Sequence, residues 1–168
     1  MNVKPKVLIF DDQKDWADQI ALTLNKFSTT TISNPDHWNK TISSTHWDAI
    51  IVDVQILGDS LDGPERAEQS ILDFGIVTPI IIISGVVNLE DVKKKYGDIF
   101  FEYIHKDNYN KDLPHLVENA CNVENRYYHM INMLTELAKK FKVLNHTFPK
   151  DMILDNVVLQ LFESGGGK

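Results

Sequence analysis

Short apolar runs alternate with amphipathic stretches from residue 6 to about residue 120. The runs have strand length and are rich in β-branched residues, which predicts five strands over residues 6–10, 29–32, 47–54, 78–83 and 99–104. Apolar residues at helical spacing predict helices over residues 15–27, 35–43, 62–74 and 88–95, and a further helix that begins at Asp112. Most of the strands are apolar on both faces. The pattern therefore predicts an α/β fold with a five-stranded, doubly wound parallel sheet.

The helix that begins at Asp112 is predicted to be extended, because apolar residues continue at alternating spacings of three and four through residue 141. The second half of this seam comprises Tyr127, Met130, Leu134, Leu137 and Phe141. It favours either a coiled coil between two copies of the chain or a helix packed on its own sheet and its own last segment. A short second helix is predicted over residues 151–162, too short for a DNA-binding output domain. Two domains are expected, 1–124 containing the sheet and 125–168 as a helical extension that is either a dimerisation segment or part of an output region.

The charge balance excludes one class of function. The chain has 24 acidic and 17 basic residues, a formal net charge of −7, which argues against binding nucleic acid through its phosphates. The single cysteine, Cys121, excludes an internal disulfide and a cysteine-rich zinc site. The amino terminus has no signal-peptide pattern, and no apolar run is long enough to cross a bilayer. A cytoplasmic chain without membrane contact is therefore expected.

Chemically reactive side chains stand at the carboxyl ends of the predicted strands. Asp11 and Asp12 follow the first strand, Asp53 lies at the end of the third, Ser84 follows the fourth and Lys106 follows the fifth. In a doubly wound fold these ends meet at the ligand-binding edge, so the groups are expected to converge. Carboxylates without histidine or cysteine partners suit a hard divalent cation, Mg²⁺ or Mn²⁺. A carboxylate beside such a cation and a lysine can act as a nucleophile towards phosphorus.

These residues, in this order, resemble the response regulator receiver family, the CheY-like domains of two-component phosphorelay signalling. The resemblance covers about residues 5–124, and Tyr103 stands where the family has its switch aromatic. It implies a flavodoxin-like fold with strand order 2-1-3-4-5. It also implies a signalling switch rather than a turnover enzyme, because a receiver catalyses only its own phosphorylation and dephosphorylation.

The resemblance implies a phosphoacceptor and a metal site. Asp53 would accept a phosphoryl group from a histidine kinase or a phosphotransfer protein. Asp12 would bind the metal directly and Asp11 largely through water. Asp53 and the backbone carbonyl of Gln55 would complete the coordination.

The resemblance also implies how the phosphoryl group is sensed. Ser84 would bond to it and Lys106 would pair with it, while Tyr103 would change rotamer as Ser84 moves. The output would be a protein–protein interaction made through the C-terminal helices, of which a homodimer is one form. Direct DNA binding by this chain is not expected.

Two loops depart from the family pattern. Leu57 stands where the family usually has proline, and Gly63 comes about two residues late, which lengthens the loop after Asp53. Asp107 follows Lys106 in place of a proline that forms a cis bond in the family. These departures motivate an alternative, a pseudo-receiver that acts as an interaction scaffold without phosphorylation. A flavin protein of the same fold is disfavoured, because no loop rich in Ser, Thr and Gly follows the first strand.

Overall fold

Five parallel strands form a single sheet at the centre of the fold. The structure, a computed structural model, describes residues 3–58, 61–85 and 88–140. The strands are β1 (Lys6–Phe10), β2 (Ser28–Ile32), β3 (Ala49–Asp53), β4 (Ile80–Ser84) and β5 (Glu102–His105). Their order in the sheet is β2-β1-β3-β4-β5, and every neighbouring pair is parallel. The predicted fold class and strand order are confirmed.

Helices connect the strands and cover both faces of the sheet. They are α1 (Lys14–Thr23), α2 (Trp38–Ile42), α3 (Asp62–Phe74), α4 (Leu89–Tyr96), α5 (Tyr109–Cys121) and α6 (Val123–Lys140). Short 3₁₀ turns precede α2, follow α4 and connect β5 to α5. Within the ranges that the structure describes, no helix is both long and apolar enough to cross a bilayer.

The core consists of two apolar layers, one on each face of the sheet. On one face Ile9, Ile51 and Ile83 pack with residues of α1 and α5. On the other face the ring of Trp38 stacks on Phe10 with centroids 4.6 Å apart. Every residue of β3 and β4 is buried, which is why these two strands read as continuous apolar runs in the sequence.

The prediction of one continuous helix from Asp112 onward is wrong, because the helix is interrupted at Asn122. There the backbone is extended, with φ −71° and ψ 128°, and α5 ends at the preceding residue. The Asn122 side-chain oxygen accepts hydrogen bonds from the backbone N–H groups of Glu124 at 2.9 Å and Asn125 at 3.3 Å. Asparagine is a favoured residue for starting a helix in this way, so it divides the predicted helix into α5 and α6.

The predicted seam on α6 is not one exposed stripe. Met130 is 4% exposed, whereas Tyr127 is 37% exposed, and Leu134 is half-buried between these extremes. Arg126 Nη1 donates to Asp48 Oδ1 at 3.2 Å, which holds the first turns of α6 to the loop before β3. A two-stranded coiled coil through Met130 would therefore require α6 to leave the position described here.

The chain divides into two compact units, Met1–Glu136 and Leu137–Lys168. The seam residue Leu137 is the first residue of the second unit. Phe141 and the predicted helix over residues 151–162 lie outside the described residues. The domain boundary at residue 124 stays a prediction.

Candidate functional site

Three carboxylates converge at the carboxyl ends of β1 and β3. Asp11 and Asp12 directly follow β1, and Asp53 is the last residue of β3. One carboxylate oxygen from each lies within 4.8 Å of the other two. Asp11 and Asp53 are buried and Asp12 is half-buried. Parallel strands bring their carboxyl ends to one edge, so the sheet itself places these acids together.

Lys106 supplies the positive charge at this edge. Its Nζ donates to Asp11 Oδ2 at 2.7 Å and lies 3.2 Å from Asp53 Oδ1. The lysine is only 4% exposed, so the ion pairs are shielded from solvent. Burial and the neighbouring Asp11 carboxylate raise the pKa of Asp53 to about 7, and Lys106 opposes this rise. The site thus holds more negative charge than one lysine neutralises.

The turn that carries Lys106 is built without proline. Residues Lys106–Asn108 form a 3₁₀ turn, and the backbone N–H of Asp107 donates to His105 Nδ1 at 3.3 Å. Among the described residues no peptide bond is cis. The carbon stem of Lys106 passes beside Gly85, where an added Cβ would lie 3.4 Å from Lys106 Cδ. A different local geometry therefore delivers the ammonium group to Asp11 and Asp53.

Trp16 contacts Lys106, a contact that the sequence does not predict. Lys106 Nζ lies 5.2 Å from the centroid of its ring, a cation–π distance. Tyr109 packs edge-on against the same ring at 5.7 Å. The position of Trp16 four residues after Asp12 is the one signal in the sequence that links it to the site.

The loop after β3 contacts Asp12, and the start of α3 lies against the backbone of Asp53. The N–H of Leu57 donates to Asp12 Oδ2 at 3.0 Å. Leu57 has a positive φ of 66°, a conformation that is unfavourable for residues other than glycine. A Cβ at Gly63 would clash with the carbonyl oxygen of Asp53. Only glycine therefore allows the start of α3 to approach the end of β3 this closely.

The other predicted site residues are Ser84, Gln55 and Tyr103. Ser84 is buried at the end of β4, one residue after the Ile83 that pairs with Asp53. Gln55 is half-buried two residues after Asp53. The Tyr103 hydroxyl donates to the Gly97 carbonyl at 2.8 Å, beyond the end of α4, so this ring is not brought to the carboxylates.

The donor set fits a hard divalent cation. Asp12 Oδ1 is buried and has no hydrogen-bond partner in the described part of the chain, an arrangement that is costly unless a ligand occupies that oxygen. The three carboxylates offer oxygen ligands only, which suit Mg²⁺ or Mn²⁺. The site can therefore hold such an ion.

The sequence is similar to curated response regulators over most of its length. No family model matches the chain. A putative NtrX-like response regulator of Rickettsia typhi is 27% identical over 140 residues, covering 82% of this chain and 29% of the relative. Its counterpart in Rickettsia bellii is 26% identical over 143 residues, covering 84% of this chain and 30% of the relative. The chain thus spans less than a third of the length of these curated relatives.

Solved receiver domains share the fold. The receiver domain of a Francisella response regulator superposes with a TM-score of 0.58 at 22% identity, covering 70% of this chain and 96% of that one. A CheY-like receiver from Methanospirillum hungatei gives 0.58 at 18% identity, covering 78% and 99%. The resemblance to response regulator receivers is confirmed. A doubly wound sheet with this strand order binds its ligand at the carboxyl ends of its strands. The residues at that edge here are Asp11, Asp12, Asp53 and Lys106.

Proposed function

We propose that Asp53 accepts a phosphoryl group from a phosphohistidine of a histidine kinase or phosphotransfer protein. The observation that carries this proposal is the buried Lys106 ammonium between Asp11 and Asp53. A lysine in that place neutralises charge on an incoming phosphoryl group that is bonded to Asp53. The receiver would be residues 1–124, and residues 125–168 would be its helical extension.

The proposed transfer is an in-line displacement at phosphorus. A carboxylate oxygen of Asp53 forms a bond to phosphorus while the phosphorus–nitrogen bond of the donor breaks, and the released imidazole takes a proton from solvent. Lys106 then pairs with a phosphoryl oxygen, and the Ser84 hydroxyl donates to another. Asp11, Asp12, Asp53 and the Gln55 carbonyl would hold Mg²⁺ or Mn²⁺, which supplies Lewis-acid stabilisation of the phosphoryl oxygens.

The proposed output is a change in protein–protein contact. As Ser84 moves towards the phosphoryl group, Tyr103 would leave the Gly97 carbonyl that it now contacts and take another rotamer. This would alter the surface around α4 and β5. The C-terminal helices would transmit the change, either to another protein or to a second copy of the chain.

The test is covalent modification by a small phosphodonor. The full chain is incubated with phosphoramidate and Mg²⁺, and intact mass is measured. We expect one phosphoryl adduct on the wild-type chain, none on Asp53→Asn, and an unchanged adduct on Asp15→Asn, which removes an exposed carboxylate from α1. An adduct on Asp53→Asn, or none on the folded wild-type chain, contradicts the proposal.

A second candidate is a pseudo-receiver that binds a partner without phosphorylation. The positive φ of Leu57 and the 3₁₀ turn after Lys106 favour it, because both loops that flank the acidic site depart from the family pattern. A chain that gives no adduct, and whose partner binding is unaffected by Asp53→Asn, supports this candidate instead.

A further inference from the structure

A cavity of about 340 Å³ lies at the opposite end of β5 from Lys106. Its walls come from the turn before β5, the C-terminal half of α5 and the first turns of α6. On α6 the lining residues Asn125, Tyr128, His129 and Asn132 recur at three- and four-residue intervals, so they share one face of the helix. The volume is close to the lower end for small-ligand pockets, roughly 300–1,000 Å³. It can accommodate one side chain or a small polar molecule.

The described part of the lining carries negative charge. Asp98 and Glu102 contribute carboxylates, and none of the described residues that line the cavity is a lysine or an arginine. Asp98 is exposed and Glu102 is half-buried. Among the described residues, a positively charged group in this cavity would therefore meet carboxylates and no like charge.

His129 is the least exposed polar side chain of the cavity wall. It is 6% exposed, and its Nε2 has no hydrogen-bond partner among the described residues. Its ring packs edge-on against Phe101 at 5.4 Å. Burial lowers the pKa of His129 to about 4, so the imidazole is neutral at physiological pH and has one N–H donor and one acceptor nitrogen.

Carboxamides and aromatic rings complete the wall. Asn125 Nδ2 donates to the Asn119 carbonyl at 3.1 Å, which joins α6 to α5 beside the cavity. Tyr128 is 58% exposed and contributes an aromatic side chain to the lining. Carboxylates, amide oxygens and an aromatic face are the partners of a guanidinium, which has five planar donors and stacks on rings. An ammonium group would use fewer of these partners than a guanidinium group would.

We propose that this cavity binds a guanidinium group, presented by an arginine side chain or by a free arginine-like molecule. The site lies apart from the acidic edge, at the connection between the receiver and its helical extension. Its occupation would bridge α5, α6 and the turn before β5. This binding goes beyond phosphoryl transfer and does not require Asp53.

The test is titration of the ¹⁵N-labelled full chain with capped amino acids, followed by amide chemical shifts. N-acetyl-arginine amide is expected to give saturable shifts at Phe101, Asn119 and His129. The citrulline analogue, which has the same shape without charge, is expected to give none, and the lysine analogue to bind several-fold more weakly. Equal binding of the citrulline analogue, or no saturable shift with the arginine one, overturns the proposal.

Two double variants test the role of the cavity carboxylates, and free arginine tests the source of the guanidinium group. Asp98→Asn with Glu102→Gln is expected to weaken arginine binding about tenfold. Asp73→Asn with Glu90→Gln removes the same charge from exposed positions outside the cavity and is expected to leave binding unchanged. Equal weakening by both pairs shows only a net-charge effect and overturns the site. Tighter binding of free arginine than of the capped form identifies the free amino acid as the source; the reverse identifies a side chain.

Discussion

Lys106 places one buried ammonium between two buried carboxylates, and the three charges depend on one another. Removal of one member from such a group leaves an uncompensated buried charge, which is more costly than loss of an exposed ion pair. The indole ring of Trp16 lies against the same ammonium and is itself supported by Tyr109. Trp16 is therefore a positioning residue for Lys106, since it contacts the lysine rather than Asp53.

Substitution of Trp16 tests this role. Trp16→Leu removes the ring face, a contact of about 0.5–2 kcal/mol, and is expected to slow Asp53 phosphorylation by phosphoramidate by roughly twofold to thirtyfold. Trp16→Phe keeps a ring and is expected to retain most of the rate. Initial rates of adduct formation are measured by intact mass. Trp47→Phe, a buried change away from the acids, is the control. A Leu variant as fast as wild type contradicts the role.

At the scale of elements, the connection between α5 and α6 decides what the C-terminal region can do. One extended residue, Asn122, turns the chain so that Arg126 reaches Asp48 and Met130 is buried. The same sequence as a continuous helix would carry these residues away from the sheet. α6 forms part of the wall of the cavity lined by Asp98, Glu102 and His129, so the cavity depends on the position of α6.

The Asn122 cap is expected to contribute measurably to stability. Asn122→Ala removes the acceptor for the N–H groups of Glu124 and Asn125 and favours continuation of α5. We expect a loss of about 1 kcal/mol in the free energy of unfolding. Urea denaturation measures it, with Asn39→Ala, an exposed asparagine within α2, as the matched control. If the two variants are equally stable, the cap does not have this role.

At the scale of the whole molecule, the sequence predicts those features of the fold that arise from local patterns of apolar and polar residues. The five strands and the position of α3 at Asp62–Phe74 agree with prediction, because apolar runs and helix starts are local signals. The sheet order also agrees, but it is implied by the resemblance to receivers. The convergence of Asp11, Asp53 and Lys106 follows from the strand-end rule. The fifth strand begins later than predicted, at Glu102, because a 3₁₀ turn precedes it.

What the sequence does not show depends on contacts between distant residues. The three-and-four spacing of apolar residues continues across Asn122, so the pattern alone cannot show that the helix ends there. The contact between Arg126 and Asp48 joins residues 78 positions apart. The close approach of Gly63 to the Asp53 carbonyl likewise depends on how α3 packs against β3. These last two contacts have no local sequence signal, and the one local signal at the helix break is that asparagine favours helix starts.

His129 makes the stability of the whole domain depend on pH. Its folded-state pKa is about 4, below the ordinary 6.5, because burial disfavours the charged imidazole; the Asp98 carboxylate opposes this only in part. Between these values the unfolded chain binds more protons at this residue than the folded chain does. The contribution of neutral His129 is therefore fully present above the unfolded pKa and is lost as pH falls from there towards 4.

The expected loss can be isolated with one variant. Linkage gives about 2 kcal/mol lost between roughly pH 7 and pH 5 from this histidine. His129→Gln removes the titration, so wild type should lose about that much more stability than the variant over this interval. Because Asp53 titrates in both proteins, its contribution cancels in the difference. His37→Gln, at an exposed position, should follow wild type. Urea unfolding at each pH measures all three proteins. Parallel curves for wild type and His129→Gln would contradict the prediction, because they would show that this histidine does not couple stability to pH.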